Sequence, residues 1–174
     1  MAKPLPSSKE LWCLFDYLPS GDLVWKPRGS KSFDTKHADN VVAPNLTPRG
    51  YRKVNVCGRY VMAHRVIWKM HHDTDPEVVD HVNGVRDDNR IGNLRGATRD
   101  ENARNNRRNL SGTGYKGVIR ATKTDRWEAR IKVSGRQSHI GTFDTAEDAA
   151  RAYDAAAVRL HGEFSVTNKG LGLI

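Results

Sequence analysis

The chain has 174 residues, room for one domain or two small ones at roughly 100 to 200 residues each. Lysine and arginine number 29 against 20 acids, a formal net charge of +9, and apolar residues make up only 37%, which favours a polyanionic partner and excludes a large core. The most apolar stretch, 61–70, is broken by His64, Arg65 and Lys69, well short of the roughly 20 apolar residues a membrane span needs. No signal-peptide pattern follows Lys3, and Cys13 and Cys57 match no zinc spacing, so a reduced cytoplasmic protein without disulfides is expected.

In chain order, Ser7-x-x-Glu10 is a capping box, and Leu11, Trp12, Leu14, Phe15 and Leu18 form a helical stripe, so a helix of about ten residues is expected. Leu23, Val24 and Trp25 predict a brief strand, and residues 27–50, rich in Gly, Ser, Pro, Asp and Asn, read as loops. Tyr51 to Val56 and Tyr60 to Ala63, around a turn at Gly58-Arg59, predict a hairpin. Val66, Ile67 and Met70 then recur at helical spacing, with His64 read as a packed structural residue.

Val78 to His81 is a short β-branched run before the turn dipeptide Asn83-Gly84, and Asn93-Leu94-Arg95 predicts a second short strand. Thr98-x-x-Glu101 is another capping box, placing Asn102 in the first turns of a helix. The order is therefore strand, loop, strand, helix. Asn105 to Gly114 is polar, basic and glycine-containing and reads as a linker. Beyond it, Tyr115 to Arg120, Trp127 to Val133 and Gln137 to Phe143 predict three strands joined by short hairpin connections. Thr145-x-x-Asp148 opens a helix whose Ala149, Ala150, Tyr153, Ala156, Ala157 and Leu160 share a face toward that sheet.

Asp80 and His81 are adjacent on a strand, where side chains point to opposite faces, so one can hold a metal while the other meets a substrate. Asn102 can return a second oxygen to the same metal. Hard oxygen donors suit Mg²⁺ or Mn²⁺ rather than a thiolate zinc site.

Val79-Asp80-His81-Val82-Asn83-Gly84, Asp88-Asn89-Arg90-Ile91-Gly92-Asn93-Leu94-Arg95 and Asn102-Ala103-Arg104-Asn105 resemble the HNH homing endonucleases of the ββα-metal fold. Asp22 to Lys26, Arg49-Gly50-Tyr51 and Ala63-His64-Arg65 resemble the leader of phage-encoded members. The resemblance implies His81 as general base, Asp80 and Asn102 as metal ligands, and Asn93 as the residue pinning the loop that orients His81. Many members hold a histidine where this chain has Asn102. Hydrolysis of a DNA phosphodiester to a 5′-phosphate and a 3′-hydroxyl is the implied reaction.

Tyr115-Lys116-Gly117-Val118, Trp127 to Ile131 and Ile140 to Asp154 are similar to the AP2/ERF DNA-binding domain, whose three-stranded sheet lies in the major groove of double-stranded DNA. The resemblance implies Lys116, Arg120, Arg126, Trp127, Arg130, Lys132, Arg136 and His139 as an outer DNA-facing set. Arg52, Lys53 and Arg59 of the hairpin, and Arg104, Arg107 and Arg108 of the basic stretch, are further expected DNA contacts.

The expected architecture is α+β: an HNH domain over 1–108, a linker over 109–114, and an AP2-like domain over 115–174. The expected function is metal-dependent, site-directed DNA cleavage in a bacterial host of a phage or mobile element, with one active site per chain so that a monomer nicks one strand and a double-strand cut requires a dimer or a second binding event. The rival class is a non-catalytic DNA-binding regulator carrying a relic nuclease domain.

Overall fold

The structure is a computed structural model that describes residues 4–42, 46–105, 110, 112–122 and 124–174. It is α+β, and its contacts divide it into two compact units, Met1–Ala97 and Thr98–Ile174.

The first unit opens with α1, Ser8–Leu14, started by the Ser7–Glu10 capping box. The helix is shorter than the apolar stripe predicts. Phe15 turns extended, and Phe15–Tyr17 becomes β1, paired antiparallel with β2, Leu23–Trp25. Strand pairing wins because it buries Phe15 completely and leaves Leu18 exposed. Residues 27–50 are not all loop: α2, Lys31–His37, forms there without a single buried residue, so no apolar period announces it.

β3, Lys53–Val56, and β4, Arg59–Met62, form the expected hairpin, but its turn is Cys57-Gly58, both at positive φ, and Arg59 lies in β4. α3, Ala63–His72, follows directly and buries Ala63, His64, Val66, Ile67 and Met70. α1 packs on it, with Trp12 Nε1 donating to the Met70 carbonyl at 2.8 Å. Leu11, Phe15, Val54, Val56, Val66 and Ile67 form the centre of this core. β5, Val78–His81, pairs antiparallel with β6, Leu94–Ala97, after a 3₁₀ turn over Ile91–Asn93.

The second unit begins with α4, Arg99–Arg104, whose Thr98–Glu101 capping box forms as expected. From sequence this helix is expected to belong with the residues before it, in the 1–108 domain. Lys116 Nζ donates to the Arg104 carbonyl at 3.3 Å, a contact inside the second unit. β7, Val118–Arg120, β8, Trp127–Val133, and β9, Arg136–Phe143, make an antiparallel sheet in that order, and α5, Ala146–His161, packs on it. Ala149, Ala150, Tyr153, Ala156 and Ala157 face the sheet. Leu160, expected on that face, is 43% exposed.

Gly117 shows why a small residue is required there. Its φ is +73°, and a Cβ would sit 2.0 Å from the Tyr153 ring. The buried Asn168 closes the unit: its Oδ1 accepts from Lys116 N at 2.6 Å and its Nδ2 donates to Asp154 Oδ1 at 2.9 Å.

Candidate active site and nucleic-acid interface

Asp80 and His81 end β5 and are 7% and 4% exposed. Asp80 stands in register with Arg95 across the β5–β6 pair. Its Oδ2 accepts from Arg95 Nη2 at 2.8 Å and from Nε at 3.0 Å. His81 Nε2 lies 3.0 Å from Asn89 Oδ1, and Asn89 is 1% exposed. A carboxamide oxygen only accepts, so Nε2 carries the proton in this contact. Burial lowers the His81 pKa most, while the Asn89 bond and Asp80, Asp88 and Asp87 pull it back up.

Asn93 serves the loop between these strands. Its Nδ2 donates to the Asp88 carbonyl at 2.7 Å, and its Oδ1 accepts from Asn83 N at 2.9 Å. The Asp88 carboxylate takes Arg90 Nε and Nη2 at 2.8 and 2.7 Å and Asn83 Nδ2 at 2.7 Å. Chiefly through Arg90, its pKa falls far below the usual carboxylate range. The direct partner of His81 is therefore Asn89, which the sequence reading did not single out. The adjacent Asp88-Asn89 in a polar loop was the available signal, but three asparagines in that loop have identical local chemistry.

His64 is 6% exposed, with its ring centroid 5.0 Å from that of His81 at an interplanar angle of 70°. Tyr51 flanks both rings, at 5.3 Å and 6.0 Å. Arg86 covers the Tyr51 ring at 5.0 Å. Burial first, then His81 and Arg65, push the His64 imidazole down to about 3.

Asn102 lies on α4 in the second unit and is exposed. Among the described residues no group of three or more His, Cys, Asp or Glu gathers as a metal site. Of the hairpin residues, Lys53 is exposed, Arg59 donates to the Pro4 carbonyl, and Arg52 lies 3.9 Å from Asp22. Arg107 and Arg108 lie outside the described residues.

In the second unit, Arg120, Arg126, Lys132, Arg136 and His139 are exposed and Arg130 is half-buried. Arg120 pairs with Asp125, Arg126 Nε meets Asp144 Oδ1 at 2.8 Å, and Arg130 Nε meets Glu128 Oε2 at 2.8 Å. His139 Nε2 lies 3.2 Å from Thr142 Oγ1. Two placements on the outer face are corrected. Lys116 is 8% exposed, because its stem is buried and its ammonium is used on the Arg104 carbonyl. Trp127 packs against the sheet–helix core while the Arg120 guanidinium covers its ring at 5.3 Å. Arg104 and Lys132 share an open cleft of about 180 Å³ with Asp100 and the Ser134-Gly135 turn.

The first unit thus carries a buried Asp-His pair on a two-stranded ribbon, followed in the chain by a capped helix, and the second unit carries a three-stranded sheet backed by one helix. Residues 61–104 match the HNH endonuclease family and residues 113–163 match the AP2 domain; the chain carries these two domains in that order. The chain is 41% identical over 85 residues to the AP2-like ethylene-responsive transcription factor ANT of Arabidopsis thaliana, covering 45% of this chain and 15% of that protein. It is 43% identical over 82 residues to the AP2-like ethylene-responsive transcription factor CRL5 of Oryza sativa subsp. japonica, covering 43% of this chain and 13% of that protein. The chain thus spans less than one sixth of these relatives. No helix among the described residues is long and apolar enough to cross a membrane.

Proposed function

We propose that the chain is a metal-dependent DNA endonuclease of the homing type, which nicks one strand of a duplex engaged by its AP2 domain. The observation that carries this reading is the buried His81, fixed through Nε2 to Asn89 and next to the buried Asp80 at the end of the same strand. A buried imidazole of lowered pKa is in the proton-accepting form at neutral pH.

His81 takes a proton from water, whose oxygen bonds to phosphorus as the P–O3′ bond breaks; the departing 3′ oxygen takes a proton from solvent, leaving a 5′-phosphate and a 3′-hydroxyl. Asn93 and Asp88 hold the loop that carries Asn89, so the base keeps its orientation. Asp80, buried and fixed by Arg95, offers the hard carboxylate oxygen that Mg²⁺ or Mn²⁺ takes, and the HNH resemblance adds the Asn102 amide. The Asp80 carboxylate would hold a cation that keeps several waters, and such a cation would stabilise negative charge developing in the reaction. The DNA contacts are proposed to come from Arg120, Arg126, Arg130, Lys132, Arg136 and His139, helped by Lys53 and Arg104. A phage or mobile-element origin, a bacterial cytoplasm and a monomeric state belong to this reading.

A second reading has its own support, because the plant relatives are named as transcription factors: a DNA-binding regulator with an idle nuclease segment. Supercoiled plasmid incubated with the protein and Mg²⁺ or Mn²⁺ separates the two. The nuclease gives open-circle product that EDTA and His81→Ala each abolish, while His81→Ala still binds DNA. Equal binding with no nicking by either protein establishes the regulator.

A further inference from the structure

His64 looks at first like a core residue of α3, since Ala63, Val66, Ile67 and Met70 around it are all buried. An aliphatic side chain would serve that core better, because the His64 Nδ1 is buried and has no hydrogen-bond partner among the described residues. The orphaned nitrogen decides the tautomer. A buried N–H without an acceptor costs more than a lone pair without a donor, so Nδ1 is the bare nitrogen and Nε2 carries the hydrogen. His81 is arranged the other way, with its Nε2 hydrogen bonded to Asn89. The two rings lie 5.0 Å apart.

We propose that His64 is a second catalytic residue of the phosphodiester site, donating its Nε2–H to a non-bridging oxygen of the phosphate that His81-activated water attacks. A donor suits that oxygen and not the attacking water, whose proton must go to an acceptor. A neutral, fixed donor gains strength as charge builds on the phosphate, so its contribution falls on the rate constant and not on DNA affinity. The inference rests on the nuclease reading.

The full chain tests it through His64→Phe and His64→Gln, measured as single-turnover nicking of supercoiled plasmid, DNA binding and metal-free thermal unfolding. His64→Phe should slow nicking by about tenfold or more, with unchanged DNA affinity and no loss of thermal stability. His64→Gln, whose amide nitrogen reaches the Nε2 position, should recover to within about threefold of wild type. The proposal is overturned if His64→Phe nicks within about twofold of wild type, or if the folded Gln variant is as slow as the Phe variant. Should His64→Phe fail to fold, the Gln variant alone decides: near-wild-type nicking supports the donor, and loss as deep as that of His81→Ala overturns it. A wild-type protein that binds DNA without nicking fails the nuclease reading before any variant is compared, and this proposal falls with it.

Discussion

His81 and Asn89 are joined inside the first unit, Nε2 to Oδ1 at 3.0 Å, eight residues apart in sequence and both almost fully buried. The loop that carries Asn89 is braced from the N-terminus. Tyr17 Oη accepts from Ile91 N at 2.8 Å, and Gly21 packs its bare Cα against the Asn89–Arg90 backbone. The leader hairpin of β1 and β2 thereby supports the orientation of the candidate base.

Asn89→Ala removes the acceptor of the His81 Nε2–H. Nicking should fall by about tenfold to a hundredfold, and stability by roughly 1–3 kcal/mol, because a buried donor loses its partner. Measurement of the pH–rate profile beside chemical denaturation checks both. An unchanged profile with only a stability loss would assign Asn89 to the fold alone.

Gly21 has φ +90°, and a Cβ there would lie 2.5 Å from Arg90 N and 2.6 Å from Asn89 C. Gly21→Ala should therefore displace the Asn89 loop and reduce nicking while the second unit keeps its DNA affinity. Nicking and gel-shift assays on the same preparation read the two effects separately.

Arg95→Ala strips Asp80 of its ion-pair partner at a site where the two side chains are only 12% and 8% exposed. Breaking one half of a buried pair typically costs roughly 3–5 kcal/mol, so a large drop in unfolding free energy is expected. Arg95→Met with Asp80→Asn should recover much of it. Denaturant titration of the three proteins tests the pair, and a loss below about 1 kcal/mol for Arg95→Ala contradicts its buried character.

The lowered pKa of His64 sets a pH dependence of stability. Its folded value is about 3 against an ordinary 6.5, so between these limits the unfolded chain binds the extra proton. The stabilisation is fully present above pH 6.5 and is lost as pH falls toward 3, by at most about 1.4 kcal/mol per unit. His81, also lowered by burial, adds in the same direction. Thermal melts from pH 7.5 to 5 should show a decline that His64→Phe makes shallower; parallel declines would refute the assignment.

Arg120, Arg126 and Arg130 each meet a carboxylate, so on the proposed DNA-binding reading phosphates compete with those carboxylates for them. Replacing all three by Gln should weaken duplex binding and lower the log–log salt slope by about 0.9 for each phosphate contact removed. Titration of DNA binding over a range of salt concentrations measures it. An unchanged slope would move the contacts off this sheet.

Local chemistry made much of the architecture legible. The boxes Ser7–Glu10 and Thr98–Glu101 cap helices through residues three apart, and the alternation in Trp127–Val133 marks a strand whatever lies beyond it. The chain order of Asp80, His81 and Asn93 was readable for the same reason. Tertiary approach decided the rest. Phe15 left the helix because a strand partner ten residues away buried it, and Lys116 turned inward because Arg104 offered a carbonyl. Asn83, Asn89 and Asn93 are chemically alike, and only the packed loop determines which one reaches His81. His64 and His81, seventeen positions apart, meet because α3 and β5 fold on one core. A sequence pattern specifies conformations of neighbours, whereas hydrogen-bond partners between buried side chains are selected by long-range packing.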